Sequence, residues 1–594
     1  MSSFLHPWVL LGLPLAAVPL ILHLIQRRDP PTVEFPAVRY LVQVTQEHQR
    51  RLRLRHWLLL LIRALLILAL VLAAAGPSAP LREAVSHTPS ALVLVVDNSP
   101  SSGVIVAGAP RLAQLRTAAH RVLERTTPSD ALWLLTSDGV ARRGTPADLL
   151  AAVDSLQPTG RRMDLGEAVT TAGDVLRSDS RPGSIVVLTD LQATALSPAP
   201  HDFPVVVARA AEPAPPNIGL ARVDAGAQPW TPEGGAVTVA LTGDSGTAPV
   251  SVVSGDGPAR QALVAAGGAG RFELGGAVPG WWVVRASKAP DELRSDDEAL
   301  ALVRVAPVAR VAWDPGDRYV SAVCDVLESS GRLRRGAELN LGSLGPGLSI
   351  VVPPVDPAAL GSLNRQLERR GAAWRFGALV TAPGVSDSGA LTGREQVVRR
   401  YTLEPLRPSA AAGVLATVGG APWVVRTGDV VLLGSRLDPS WTGLPLSARF
   451  VSFMDAMINR IARGQLALLS GAPGDAVLLP DLVTDVAQGE HRWVVEGGAA
   501  FHPPAAGAYF LLSGSDTVGG LSVNLDPRES ALAPASEDQV ETLWEGSRVV
   551  RLGQAPGAAF AGAGRASLQG PLLWLALLLA LVEVALASGL GRAR

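Results

Sequence analysis

Apolar positions group along the chain in three patterns, each predicting a different kind of element. Long, predominantly apolar runs occupy Phe4–Ile25, Trp57–Ala75 and Pro571–Leu590. Each holds about 20 residues, enough to cross roughly 30 Å of hydrocarbon as a helix. Shorter apolar runs at Ala91–Val96, Ala131–Leu135 and Ser184–Leu188 alternate with Arg111–Arg125, Pro146–Leu156 and Leu165–Leu176, whose spacing is helical. In the first of those helices Leu112, Leu115, Ala118, Ala119 and Val122 fall on one face. Strands apolar on both faces and alternating with helices predict a doubly wound, Rossmann-like α/β domain at 88–212, with chemistry expected at the strand C-termini. The third pattern is short two-residue alternation, as in Ala236–Leu241, Val250–Val253 and Trp281–Ala286. It predicts a β-sandwich over 213–307.

Beyond it, 308–464 returns to strand–helix alternation: Ala309–Trp313 before a helix at Tyr319–Ser329, Leu348–Val352 before Pro357–Arg370, and Val430–Gly434 before Leu446–Arg463. This predicts a second α/β domain of flavodoxin-like type. Short strands at 471–550 predict a small β domain, and the Gly- and Ala-rich 551–569 a linker. The fold class is therefore a multidomain membrane protein: a transmembrane helical hairpin within 1–80, α/β domain, β-sandwich, second α/β domain, small β domain, and a C-terminal transmembrane helix at 571–590.

Charge orients this arrangement. Between the first two apolar runs, Gln26–His56 carries Arg27, Arg28, Arg39, Arg50, Arg51, Arg53 and Arg55. Short arginine-rich loops stay in the cytoplasm, so residues 76–570 are expected outside and the tail with Arg592 and Arg594 inside. No positive residue precedes Phe4–Ile25, which argues for a retained span over a cleaved signal. The expected location is a bacterial inner membrane, with three spans, N-terminus out, and the main domains periplasmic. Arg63 and Glu583 each lie roughly 10 Å in from the cytoplasmic face. Either they form an intramembrane ion pair, or Arg63 snorkels while Glu583 meets a polar gap or is protonated. The whole chain has net charge −1, which offers no field for nucleic acid.

The sharpest candidate chemistry is Asp97-Asn98-Ser99-Pro100-Ser101, a D-x-S-x-S directly after a buried strand. Hard oxygen donors of this kind suit Mg²⁺, and Asp190, ending a later strand, could join Asp97, Ser99 and Ser101. The alternative is a structural turn that keeps these residues for their hydrogen bonds. Enzyme signatures are absent: there is no HExxH, no P-loop and no GxSxG elbow. Cys324, the only cysteine, lies mid-helix, and no histidine occurs between His201 and His491, so no Cys–His pair is at hand within 308–464. Arg436–Trp441, after a strand, reads as a binding loop or as a turn with Trp441 in the core.

On these residues, 88–212 resembles a von Willebrand factor A domain, whose metal-ion-dependent adhesion site uses D-x-S-x-S, a Thr and an Asp. Asp97, Ser99, Ser101 and Asp190 match; the Thr position holds Met163, a poor Mg²⁺ ligand, so the resemblance implies Mg²⁺ held weakly or not at all. Phe4-Leu5-His6-Pro7-Trp8, Pro19–Leu24, Val33-Glu34-Phe35-Pro36 and Arg51–Leu60 resemble the BatA, or aerotolerance regulator, N-terminal domain over residues 1–80. Larger members share the layout above, and 308–464 is similar to their glutamine-amidotransferase-like domain. Asp291–Leu300 and Asn524–Ser530 also look like family landmarks. The resemblance implies a non-catalytic protein-interaction role beside MoxR-type AAA+ ATPases and other Bat-like membrane proteins, in stress tolerance or envelope assembly. Its rivals are a purely structural envelope scaffold and an envelope enzyme using 308–464.

Overall fold

The computed structural model describes the chain except residues 1–6, 26–41, 77, 81–86, 88, 277, 390, 408–412, 466, 561–564, 568 and 592–594. Arg27, Arg28, Arg39, the Phe35-Pro36 segment and the tail arginines lie outside the described residues. Two helices are long and apolar enough to cross a membrane, Trp57–Ala75 and Gln569–Leu586; the apolar helical stretch Trp8–Leu22 is shorter. That first stretch is not one helix. Pro14 cannot donate a helical hydrogen bond, and Pro7–Ala17 winds as a 3-10 helix before Val18–Ile25 turns α-helical. The second helix runs Val42–Ala75, so it starts well inside the segment expected as a loop. At 34 residues it is about 51 Å long, more than hydrocarbon alone requires. Beyond these helices, Ser78–Pro80 pairs antiparallel with Arg565–Ser567.

The first α/β domain is built on a six-stranded sheet in the order Arg548–Arg551, Val205–Arg209, Gly183–Thr189, Ala91–Val96, Ala131–Leu135, Arg142–Gly144. Its first five strands are parallel and the last is antiparallel. Every residue of Ala91–Val96 is buried, as its unbroken apolar run requires of a central strand. Helix Leu165–Arg177 covers one face, and Arg111–Leu123 with Pro146–Ser155 the other.

One edge strand of this sheet comes from more than 300 residues downstream of its neighbour. Val540 and Trp544 complete one core layer, and Val550, Ala555, Ala559 and Phe560 the other. The domain drawn at 88–212 is therefore discontinuous. The β domain drawn at 471–550 ends at Val523, and the linker drawn at 551–569 holds a short helix, Ala555–Ala559, packed on the first domain. The error has a physical reason: a four-residue strand with arginine at both ends carries no periodic signal of its own.

Between these two parts lie three units. A sandwich packs the sheet Ala269–Gly275, Gly234–Leu241, Leu220–Asp224 on the sheet Arg260–Ala265, Thr247–Ser254, Gly280–Lys288, Glu298–Val305. The second α/β domain has a seven-stranded sheet, parallel from Leu333–Arg335 to Val430–Leu433 and antiparallel at the other edge. A five-stranded sheet follows between Ala467 and Val523, with Trp493, Phe501 and Tyr509 clustered in its core. It packs on the sandwich, where the Asn524 side chain bonds both the N–H and the carbonyl of Leu300 at 2.8 Å.

Candidate functional site

Parallel pairing of Val96 with Leu188 brings Asp97 and Thr189-Asp190 together at the C-terminal edge of the first sheet. The Asp97 N–H donates to the Leu188 carbonyl at 2.9 Å, which fixes the start of the loop. Pro100 opens a 3-10 turn over Pro100–Gly103, folding Ser101 back toward Ser99. Asp97 Oδ1 then accepts the Ser99 N–H at 3.1 Å, and Asp97 Oδ2 accepts the Thr189 hydroxyl at 2.6 Å. Ser99 Oγ lies 3.0 Å from Ser101 Oγ. Asp97, Ser99 and Ser101 are all buried. The carboxyl oxygen Oδ1 of Asp190 is buried with no hydrogen-bond partner. Immediately after it Leu191 adopts φ 58°, a left-handed conformation costly for a branched side chain, which turns the chain sharply at the sheet edge.

Residues flagged separately in the sequence thus meet, and two further ones join them. Arg111, at the start of its helix, is buried; its Nη1 donates to the Glu212 carbonyl at 3.1 Å, while Nε and Nη2 have no partner. Its positive charge favours the ionised form of Asp190. Glu529 is the second. It is only 1% exposed, and its Oε2 accepts the Ser101 N–H at 3.1 Å. Burial above all, and then the negative charge of Asp97, push the Asp190 carboxyl up to about 7 and the Glu529 carboxyl up to about 8. Sequence reasoning noted Asn524–Ser530 as a landmark but gave Glu529 no role. The available signal was an acidic residue in a short Pro-initiated turn.

The donor set fits a hard divalent cation: two hydroxyls and three carboxylates, one of which, Asp190, has an oxygen without a partner. Met163 contributes nothing to it. Its side chain is buried in the apolar layer with Leu165 and Val169, while Asp164 caps helix Leu165–Arg177 through the N–H groups of Gly166 and Glu167.

Asp291, Asp296 and Asp297 form a second acidic group, their ligand atoms within 4.8 Å of one another. A cation of the chain already sits in it. Lys288, the only lysine, places Nζ 2.7 Å from Asp291, 3.8 Å from Asp296, and in direct contact with Asp297. Burial opposes its charge, but the Asp291 and Asp297 hydrogen bonds outweigh it and raise its pKa.

Within the apolar helices, Arg63 Nε donates to Glu583 Oε1 at 2.5 Å. In the second α/β domain Cys324 is fully buried on helix Arg318–Ser329, and burial pushes its thiol up to about 12. Trp441 stacks on Tyr401 at 5.9 Å, closing a turn in which its N–H donates to the Asp438 carbonyl.

A parallel α/β sheet with a D-x-S-x-S loop at its C-terminal edge, on a chain with long apolar helices, defines a membrane-associated protein with an adhesion-type domain. Residues 92–192 match the von Willebrand factor type A domain family, and residues 1–77 match the aerotolerance regulator N-terminal (BatA) family. No curated protein matches the chain. Solved structures with local likeness include a cycloisomaltooligosaccharide glucanotransferase from Paenibacillus sp., 9% identical with a TM-score of 0.12. Another is the pilus adhesin SpaC from Lactobacillus rhamnosus GG, 11% identical with a TM-score of 0.15. The matches cover 21% and 52% of this chain but only 20% and 35% of those chains.

Proposed function

We propose that this is a membrane-anchored, non-catalytic protein-interaction protein whose von Willebrand A domain works outside the cytoplasm. The observation that carries the reading is the convergence of Asp97, Ser99, Ser101 and Asp190 at one sheet edge, in a domain joined to apolar helices. Mg²⁺ bound there would supply a Lewis-acid position for a carboxylate oxygen, with Asp97 and Asp190 as its charged donors. The arginines of 26–56 orient the chain with three spans, N-terminus out and 76–570 periplasmic. The BatA domain motivates partnership with MoxR-type ATPases and Bat-like membrane proteins.

A non-catalytic role is supported in the second α/β domain, whatever its kinship to glutamine amidotransferases. A nucleophile there would need an exposed, activated thiolate, and Cys324 is buried and protonated. The second reading, a structural scaffold, is favoured by one observation: Glu529 already fills part of the site.

Crosslinking pull-down from native membranes tests the reading. Asp97→Ala is expected to lose partners that wild type recovers, whereas equal recovery would favour the scaffold. A reporter enzyme fused near residue 300 should be active only outside the cytosol.

A further inference from the structure

We infer that Glu529 is an internal ligand of the adhesion site, supplying from within the chain the carboxylate that a partner would otherwise bring. The inference rests on the site at Asp97 and Ser99 binding a divalent cation, and it adds the residue that closes it. Glutamate is almost never fully buried unless paired. Glu529 is buried, yet among the described residues no arginine, lysine or histidine nitrogen lies within 4.0 Å of its carboxylate. The same holds for Asp97 and Asp190. Three carboxylates thus lie within electrostatic reach of one another, and Asp190 also of Arg111, whose own Nη1 is committed to the Glu212 carbonyl. Fully ionised, the three would carry two uncompensated negative charges, which burial resists by raising the Asp190 and Glu529 carboxyls; a divalent cation would balance those charges and favour the ionised forms. Asp190 Oδ1, buried without a partner, is the further atom such a cation would satisfy.

Glu529 is delivered to this place by contacts independent of its carboxylate. Asp526 caps the turn Pro527–Ser530 through the Arg528 N–H. The Glu529 carbonyl accepts from Gln192 Nε2 at 3.1 Å, and the Arg528 carbonyl from the Thr194 hydroxyl at 2.9 Å. Past the turn, the Ala193 N–H donates to Ala533 and the Ala535 N–H to Leu191, making a short antiparallel bridge at Gln192 and Pro534. On the other side Asn217 Nδ2 bridges the Ser530 carbonyl, at 3.0 Å, and Asp296, at 2.7 Å. The segment is therefore docked as a preformed clasp, and the cation would fasten it. A partner's carboxylate can enter only by displacing Glu529.

The test uses the full chain in detergent, with Mn²⁺ alone as the probe. Mn²⁺ affinity is measured by calorimetry for wild type, Glu529→Gln and Asp97→Ala, and backbone hydrogen exchange of 526–535 with and without Mn²⁺. The expected result is binding by wild type, slowed exchange across 526–535, at least tenfold weaker binding by Glu529→Gln, and none by Asp97→Ala. Wild-type binding with unchanged exchange, or equal affinity in Glu529→Gln, would overturn the internal-ligand assignment while leaving the cation site in place. No Mn²⁺ binding by wild type would remove both. The exchange arm needs no variant, so a misfolded substitution cannot mask the outcome.

Discussion

Met163 and Cys324 show how much a single side chain can decide. The thioether at 163 turns into the apolar layer, so the position that a threonine would use for a metal has been given to packing. Cys324 carries a thiol at about 12, which leaves roughly one molecule in ten thousand as thiolate at pH 8. The folded chain should resist alkylation by iodoacetamide until the pH nears that value, and react at once in denaturant; mass spectrometry of the two samples reads the difference. Asp97, Ser99, Ser101 and Asp190 could be found in the sequence because a motif and a strand end marked them. Glu529 was marked only as part of a Pro-initiated turn, and Arg111 not at all. Each is an ordinary charged residue until the fold buries it beside carboxylates hundreds or tens of positions away.

Helices and central strands were readable because burial on both faces writes itself as an apolar run, and burial on one face as a helical stripe. Ala91–Val96, Ala131–Leu135 and helix Leu165–Arg177 all stand where that logic puts them. The edge strand Arg548–Arg551 escaped it: too short to show a period, it is assigned by its neighbours. Trp544, just before it, is fully buried and donates through Nε1 to the Ser197 carbonyl at 2.8 Å. Trp544→Ala should therefore destabilise the first domain by about 3–5 kcal/mol, although the residue lies outside the segment that matches the family. Urea denaturation of the 76–568 region, followed by circular dichroism, measures it; an unchanged midpoint would show that the distant segment is not part of the core. Among the apolar helices, Arg63→Glu and Glu583→Arg should each weaken the association of the second and last helices. The double swap should restore it, as read by cysteine crosslinking between them.

Both ends of the large region return to one place. Its first domain opens the region and also ends it, the strands Ser78–Pro80 and Arg565–Ser567 pair, and the two long apolar helices are linked by Arg63 and Glu583. A fragment of 88–212 would lack an edge strand, Trp544 and Glu529, and should be less soluble and less heat-stable than one that includes 526–560; thermal scans of the two settle this. The domain order was legible down the sequence, but its closure was not, since nothing in a local pattern says that the last seventy residues belong with the first hundred.

That closure makes the polypeptide robust to being severed. The turn at Gly255–Pro258 is exposed, and a protease site inserted there would cut the chain into two pieces of comparable size. They should run apart on a denaturing gel yet co-elute in detergent. Each holds part of the same sheet and one of the paired helices, so breaking the peptide bond leaves them joined.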